Sequence, residues 1–225
     1  FSGIVVSLAL TKYPGHIHKL YAADLVGAAL GCVLLVVVLN IFTGPTAVIL
    51  IAASTSLASV AFLIGKKTKL IIAGAVFFSV CIGFVVLNTH FANKGQALLT
   101  LRYVKGGIES GAVYEKWNSF SRITVYGNEK EKVAPFGWGL SEVYPRNNTV
   151  SQLWLLIDAT AGTPLTKFTG AAAEIDFLKY DIVNLAHHLR KNADVMVVGV
   201  GGGRDVLSAL AFKQKSILGL EVNDA

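Results

Sequence analysis

The residues with the clearest chemical potential are four near-consecutive glycines and one acid. The turn Gly199-Val200-Gly201-Gly202-Gly203 follows the apolar run Val195 to Val198 and precedes Arg204-Asp205. Glycines let a backbone turn tightly and press close to a ligand, and a helix starting there offers free amide groups to it. Residues 205–212 read as that helix and 216–222 as a second strand. Glu221 stands at the strand's end, about 20 residues past the turn, where a carboxylate can accept hydrogen bonds from both hydroxyls of a ribose. Strand, glycine turn, helix, strand and terminal acid, in that order, predict the opening βαβ unit of a Rossmann-like nucleoside-binding domain. The predicted binding residues are Gly199, Gly201, Gly202, Gly203, Asp205 and Glu221. Spacing alone does not choose between NAD and S-adenosylmethionine. The dinucleotide pattern GxGxxG fits less well, because Arg204 stands where its third glycine belongs.

Other reactive side chains lack a constellation. Cys32 and Cys81 fall inside apolar stretches with no metal-ligand spacing and read as small buried residues. His187 and His188 read as solvated histidines near a helix C-terminus, where a cation is favoured. No metal is expected. Asp24 sits within an apolar helix; an acid there is a candidate for function or for pairing near the membrane interface with Lys19.

These groups must be positioned by a chain of uneven composition. Of its 225 residues 53% are hydrophobic and 15% charged, against about 25% charged in an average globular domain. Up to position 100 the only acid is Asp24 and the six bases are all lysine, which leaves 13 of the 14 acids and 14 of the 20 bases to the rest. Residues 20–41, 43–64 and 69–88 are long and apolar enough to span a bilayer, which takes roughly 20 residues. Phe1 to Leu10 reads as the tail of a fourth span. The net charge of +6 lies partly in lysines flanking the spans, notably Lys66, Lys67 and Lys69, and not in a basic run with interleaved aromatics. Nucleic acid is therefore not an expected partner. In the first full span Gly27 and Gly31 stand four apart beside Ala23 and Ala28, a spacing at which two helix backbones approach closely.

The remainder is organised around short alternating segments. Ser121 to Tyr126 and Gln152 to Ile157 read as strands separated by turn residues such as Pro135, Gly137 and Gly139. Residues 171–191 read as one amphipathic helix, with Ile175, Leu178, Ile182, Leu185 and Leu189 at steps of three and four. The expected organisation is transmembrane helices over 1–89, a β-rich subdomain over 90–170, and the truncated βαβ unit over 171–225.

Several segments resemble the spermidine/spermine synthase family of polyamine aminopropyltransferases, in particular its membrane-fused members. YAADLVGAALGC looks like a helix of those fusions, and KWNSFSRITV is similar to the opening strand of their β subdomain. LWLLIDATAGT and DFLKYDIVNLAHHL resemble the segments that lead into the glycine motif. The resemblance implies a site for S-adenosylmethionine or its decarboxylated form, used as substrate, with Gly199, Gly201 and Gly203 along the nucleoside and its tail and Glu221 on the ribose. Three positions depart from the family pattern. Gly202 stands where the family carries an Asp that helps hold the amine. Phe120-Ser121 replaces a Tyr-Gln pair, and Tyr180-Asp181-Ile182 replaces Tyr-His-Glu. The family's catalytic Asp is expected beyond Ala225, in a chain that reads as a fragment, so no catalytic residue is assigned.

Two classes of function follow. The first is a membrane-bound transferase that moves an aminopropyl group, or in a methyltransferase variant a methyl group, to a small-molecule amine or other acceptor. The second is a membrane transport or sensory protein regulated through its nucleotide-binding domain. Both place the chain in the lipid bilayer, with a homo-oligomer left open. Lysine bias puts the five-base side of Lys12, Lys19 and the Lys66 cluster in the cytoplasm and the soluble part outside. A domain using a cytosolic nucleotide must face the cytoplasm. The chemistry is given precedence, and the expected location is the cell (inner) membrane with the nucleotide-binding part cytoplasmic.

Overall fold

The computed structural model describes residues 2–65, 68–145 and 147–223. The chain divides into two compact units, residues 1–100 with 117–119 and residues 101–116 with 120–225.

The first unit is helical. It contains α1 (Ser2–Lys12), α2 (Ile17–Ile41), α3 (Gly44–Leu63) and α4 (Thr68–Ala92). Residues 14–41, 44–63 and 68–92 form three helices long and apolar enough to cross a membrane. Lys66 and Lys67 of the lysine cluster lie outside the described residues, and Lys69 falls in the first turn of α4. α2 ends where Phe42 turns extended, and Pro45 starts α3 cheaply, because in the first turn its missing N–H has no helical partner to lose. Thr43 caps α3, its hydroxyl accepting from the amide of Thr46.

α3 and α4 pack along each other through small residues and a buried polar cluster. The amide of Asn88, fully buried, donates to the Thr46 hydroxyl at 2.7 Å, and its carbonyl accepts from the Leu99 backbone at 2.9 Å. The Thr43 and Thr46 hydroxyls bond each other, and Ser56 donates to the Gly74 carbonyl. Every one of these groups would otherwise be an unsatisfied dipole among apolar side chains. The ring of Trp117 lies against Gly44, where a Cβ would fall 2.5 Å from it, and Asn40 accepts from the Ser119 amide. α2 has no buried residues, and Asp24, Gly27 and Gly31 on it are exposed.

The second unit begins with the small hairpin β1 (Tyr103–Val104) and β2 (Gly107–Ile108). A four-stranded sheet follows in sequential order: β3 (Tyr114–Trp117, its last residue in the first unit), β4 (Arg122–Tyr126), β5 (Gln152–Ile157) and β6 (Ala161–Thr166). β4 and β5 are antiparallel with Ile123 opposite Ile157, and β5 and β6 with Gln152 opposite Thr166. Arg122, at the start of β4, is buried and paired with Glu109 and Glu115.

The segment 171–191 does not form the single amphipathic helix expected from its periodicity. It folds as three 3-10 turns, Ala172–Glu174, Asp176–Tyr180 and Ile182–Asn184, followed by the short α5 (Leu185–Leu189). The break falls at Asp181, whose backbone is extended (φ −97°, ψ 127°) and bridges to Leu140. A helical Asp181 would lose that bridge and swing its buried carboxylate away from its partners. The apolar stripe is split accordingly: Ile175 and Leu178 are buried, whereas Ile182, Leu185 and Leu189 are exposed.

β7 (Asp194–Val198), α6 (Arg204–Ala211) and β8 (Ser216–Leu220) complete the unit, the two strands parallel with Asp194 opposite Ser216. The core beside them gathers Tyr144, Val150, Ile175, Phe177, Leu178 and Ala211, with Leu207 and Phe212 packed on it. The continuous apolar run of β7 suggested burial on both faces, as parallel strands prefer. In the structure Val197 is buried, while Met196 and Val198 are exposed, because α6 covers one face only. Phe177 is fully buried, and Phe177→Ala is expected to destabilise the second unit by about 3–5 kcal/mol. Faster hydrogen exchange throughout α6, with α3 and α4 unchanged, would show it.

Candidate functional site

The glycine turn sits where the sequence order requires, between the end of β7 and the start of α6. Gly199 donates to the Leu220 carbonyl at 2.8 Å, carrying the β7–β8 ladder one step past the strands. Gly203 donates to Val200 at 2.8 Å, closes the turn and forms the N-cap of α6. Gly199, Gly201 and Gly203 have φ of +74°, +49° and +77°, a region open to glycine at no steric cost. A Cβ placed on any of these three would meet no atom within 4 Å, so their surface is open. Gly202 is different. A Cβ there would fall 2.7 Å from Thr163 Cγ2 and 3.0 Å from the Pro164 carbonyl of β6, so this glycine seats the turn against the sheet.

Glu221 folds back over the turn. One carboxylate oxygen accepts from the Gly201 amide at 2.8 Å, and the other accepts from Val222 and Asn223 at 2.9 Å each. The side chain is exposed, and these amide bonds, that from Gly201 first, hold its carboxyl below its ordinary pKa. The Asn223 side-chain amide donates to the Ser121 hydroxyl at 2.8 Å, which brings the residue before β4 to the edge of the site. Asp205 is exposed in the first turn of α6.

The two histidines are not simply solvated helix ends. His187 stacks on Phe212 at 5.3 Å and His188 meets the same ring edge-on at 4.6 Å. Burial lowers the His187 pKa, partly opposed by the charge of Asp205, so that acid lies within electrostatic reach of this imidazole. Among the described residues no three His, Cys, Asp or Glu side chains gather as a metal-binding group.

The arrangement that residue types did not disclose is the pair Asp181–Arg204. Arg204 is 6% and Asp181 0% exposed, and one guanidinium nitrogen bonds one carboxylate oxygen. The other carboxylate oxygen accepts from the Gly139 amide at 3.1 Å and Val183 at 3.3 Å. Gly137 lies so close to that carboxylate that no side chain fits at 137. The pair thus pins three separate segments together: the loop around 137–140, the extended link at Asp181 and the first residue of α6. Sequence marks both members only as departures, Arg204 from the glycine pattern and Asp181 from Tyr-His-Glu; their meeting across 23 positions is a product of folding. A shallow cleft of about 290 Å³ opens beside Asp181, with Ser141, Lys179, Tyr180 and His188 on its walls.

No family model, no curated protein and no solved structure matches the chain.

Arg204→Met would leave the Asp181 charge buried without compensation. A loss of about 3–5 kcal/mol is expected, with much of it recovered in the double variant Asp181→Leu/Arg204→Met, as read by urea unfolding followed at Trp138 and Trp154. The Glu221 contact also carries a pH signature. Because its folded pKa is lowered, the carboxylate–Gly201 bond is fully present above the ordinary glutamate range and is lost as pH falls through the lowered value. The Gly201 amide proton resonance should follow that titration, and should not move over it in Glu221→Gln.

Proposed function

We propose that the chain belongs to a membrane-bound, spermidine synthase-like transferase. In this reading α2, α3 and α4 cross the bilayer, and the second unit carries a Rossmann-like site for a nucleoside sulfonium, S-adenosylmethionine or its decarboxylated form. The observation that carries the reading is the open face of Gly199, Gly201 and Gly203 opposite the exposed carboxylate of Glu221. A nucleoside needs both: backbone that can be approached closely, and an acid at the end of the next strand for its two ribose hydroxyls. Arg204 follows the turn where a dinucleotide motif has its third glycine, which favours the sulfonium over NAD.

The chemistry follows from the ligand. A sulfonium activates its neighbouring carbons toward a neutral amine. The amine lone pair forms the new C–N bond, the C–S bond breaks with its electrons going to sulfur, and the amine then gives up a proton. With the decarboxylated donor the aminopropyl group moves, and with S-adenosylmethionine the methyl group can. The protein's share is to hold the two reactants in line, which alone accounts for a large part of such rate enhancements. Asp181 is not the base for that proton in this reading, because its carboxylate is fully buried and bonded to Arg204. The site faces the cytoplasm, where such a nucleoside is found.

Thermal unfolding of the full chain in lipid nanodiscs tests the proposal. Either sulfonium nucleoside, at about 100 times its Kd, should stabilise the second unit by about 2.7 kcal/mol, and Glu221→Ala should abolish the shift. A shift with NAD alone would overturn the reading in favour of a dinucleotide-regulated transport or sensory protein, and no shift with any nucleotide would overturn nucleoside binding itself.

A further inference from the structure

The segment 101–116 leaves the first unit after Thr100 and rejoins it at Trp117. Both of its ends are fastened at the same end of the α3–α4 pair. The Leu99 amide donates to Asn88 of α4, and the Ser119 amide donates to Asn40 beside the α2–α3 turn. The Trp117 ring lies on Gly44, the first residue of α3. Asn88 itself bonds Thr46, so these anchors share one level of the helix pair. α3 has 20 residues, about 30 Å of helix, which matches the roughly 30 Å hydrocarbon core of a bilayer. Where α3 crosses a bilayer, Gly44 therefore marks the edge of the hydrocarbon, and Trp117 stands where interfacial tryptophans are favoured. Tyr103 follows Leu99 by four residues, and Tyr114 precedes Trp117 by three. At no more than about 3.6 Å per residue, both are held within about 11 to 14 Å of that edge.

The surface of this strip is apolar and basic. Tyr103 and Ile108 are cross-strand partners in the β1–β2 hairpin, so their side chains share one face. They are 68% and 80% exposed, and Val113 and Tyr114 further along the strip are exposed too. Arg102 and Lys105 are exposed beside them in sequence, and the Lys105 amine bonds a neutral hydroxyl, that of Thr160, rather than an acid. The strip's two acids, Glu109 and Glu115, both pair with buried Arg122. Its negative charge is thus compensated inside the unit while two bases stay at the surface. An exposed apolar face flanked by bases suits a lipid headgroup layer, which takes up aromatic and aliphatic side chains and whose anionic lipids attract cations.

Resting on the reading that α2, α3 and α4 cross the bilayer, we infer that the β1–β2 hairpin docks on the membrane surface. Tyr103 and Ile108 enter the headgroup layer, and Arg102 and Lys105 sit on anionic lipid. The hairpin thereby ties the unit that carries the glycine turn to the lipid composition around the spans.

Spin-label accessibility of the full chain in nanodiscs tests this. With both native cysteines replaced (Cys32→Ala, Cys81→Ala), a label at Ile108→Cys is compared with one at Val143→Cys, a position also 80% exposed in the second unit. The Ile108 label should collide with lipid-soluble oxygen more than with an aqueous nickel complex, and the Val143 label the reverse. The ratio of docked to free Ile108 label should rise in phosphatidylserine discs over phosphatidylcholine discs by about fivefold per base. Arg102→Gln/Lys105→Gln, or about 0.5 M salt, should remove that rise. An Ile108 label as open to nickel as the Val143 label in both lipids would overturn the docking and leave the spans standing. Equal docking in the two lipids would overturn the anionic preference. A chain that stays in water and does not enter the discs would remove the membrane reading, and this inference with it.

Discussion

The second unit is organised around one buried charge pair. Two opposite charges removed from water need further hydrogen bonds to offset their lost hydration, and here the carboxylate finds them on the surrounding backbone, while Arg204 Nε and Nη1 have none among the described residues. The Asp181 carboxylate draws in the amides of Gly139 and Val183 and forces a side-chain-free position at Gly137. It also holds the chain extended at 181, so a segment with helical periodicity becomes a series of short turns. Arg204, the other member, is the first residue of α6, so the direction of that helix and of the glycine turn before it depends on the same contact. A hydrophobic core built on Phe177 and Leu178 then fills the space beneath α6. Removing either member of the pair alone would leave the other as an uncompensated buried charge.

The first unit meets a different constraint. Its helices expose apolar side chains over most of their surface, and the polar groups of α3 and α4 are few and largely satisfied within the pair. Asn88, Thr46 and Thr43 form a closed cluster, and the serines and threonines elsewhere in α3 and α4 largely bond back to carbonyls of their own helix. Such internal satisfaction is what hydrocarbon surroundings demand of a polar side chain. α2 has no buried residue, and Asp24 on it is exposed.

The glycine turn shows how four similar residues divide their work. Three alternate positions take left-handed backbone and leave open surface; the fourth is pressed on β6 and fixes where that surface lies. Glu221 is held against Gly201 although its side chain is exposed. Its carboxylate completes the hydrogen bonding of the Gly201 amide while staying open to solvent. Its neighbour Asn223 reaches Ser121, so the β4 edge is part of the same polar surface.

Local order was legible in the residues themselves. The three long apolar helices, strand β5, the turn at 199–203 and the alternation of strand, helix and strand around it all follow from composition, periodicity and glycine placement, because these are short-range properties of the chain. Opaque to such reading were the fate of 171–191, the clasp of His187 and His188 on Phe212, and the division of Gly202 from its neighbours. Each is decided by a partner far along the chain: Arg204 and Leu140 for Asp181, Phe212 for the histidines, Thr163 for Gly202. A periodic stripe of leucines and isoleucines states only that a helix would be amphipathic. Whether it forms depends on what a single buried carboxylate among them must reach, and only the folded structure sets that distance.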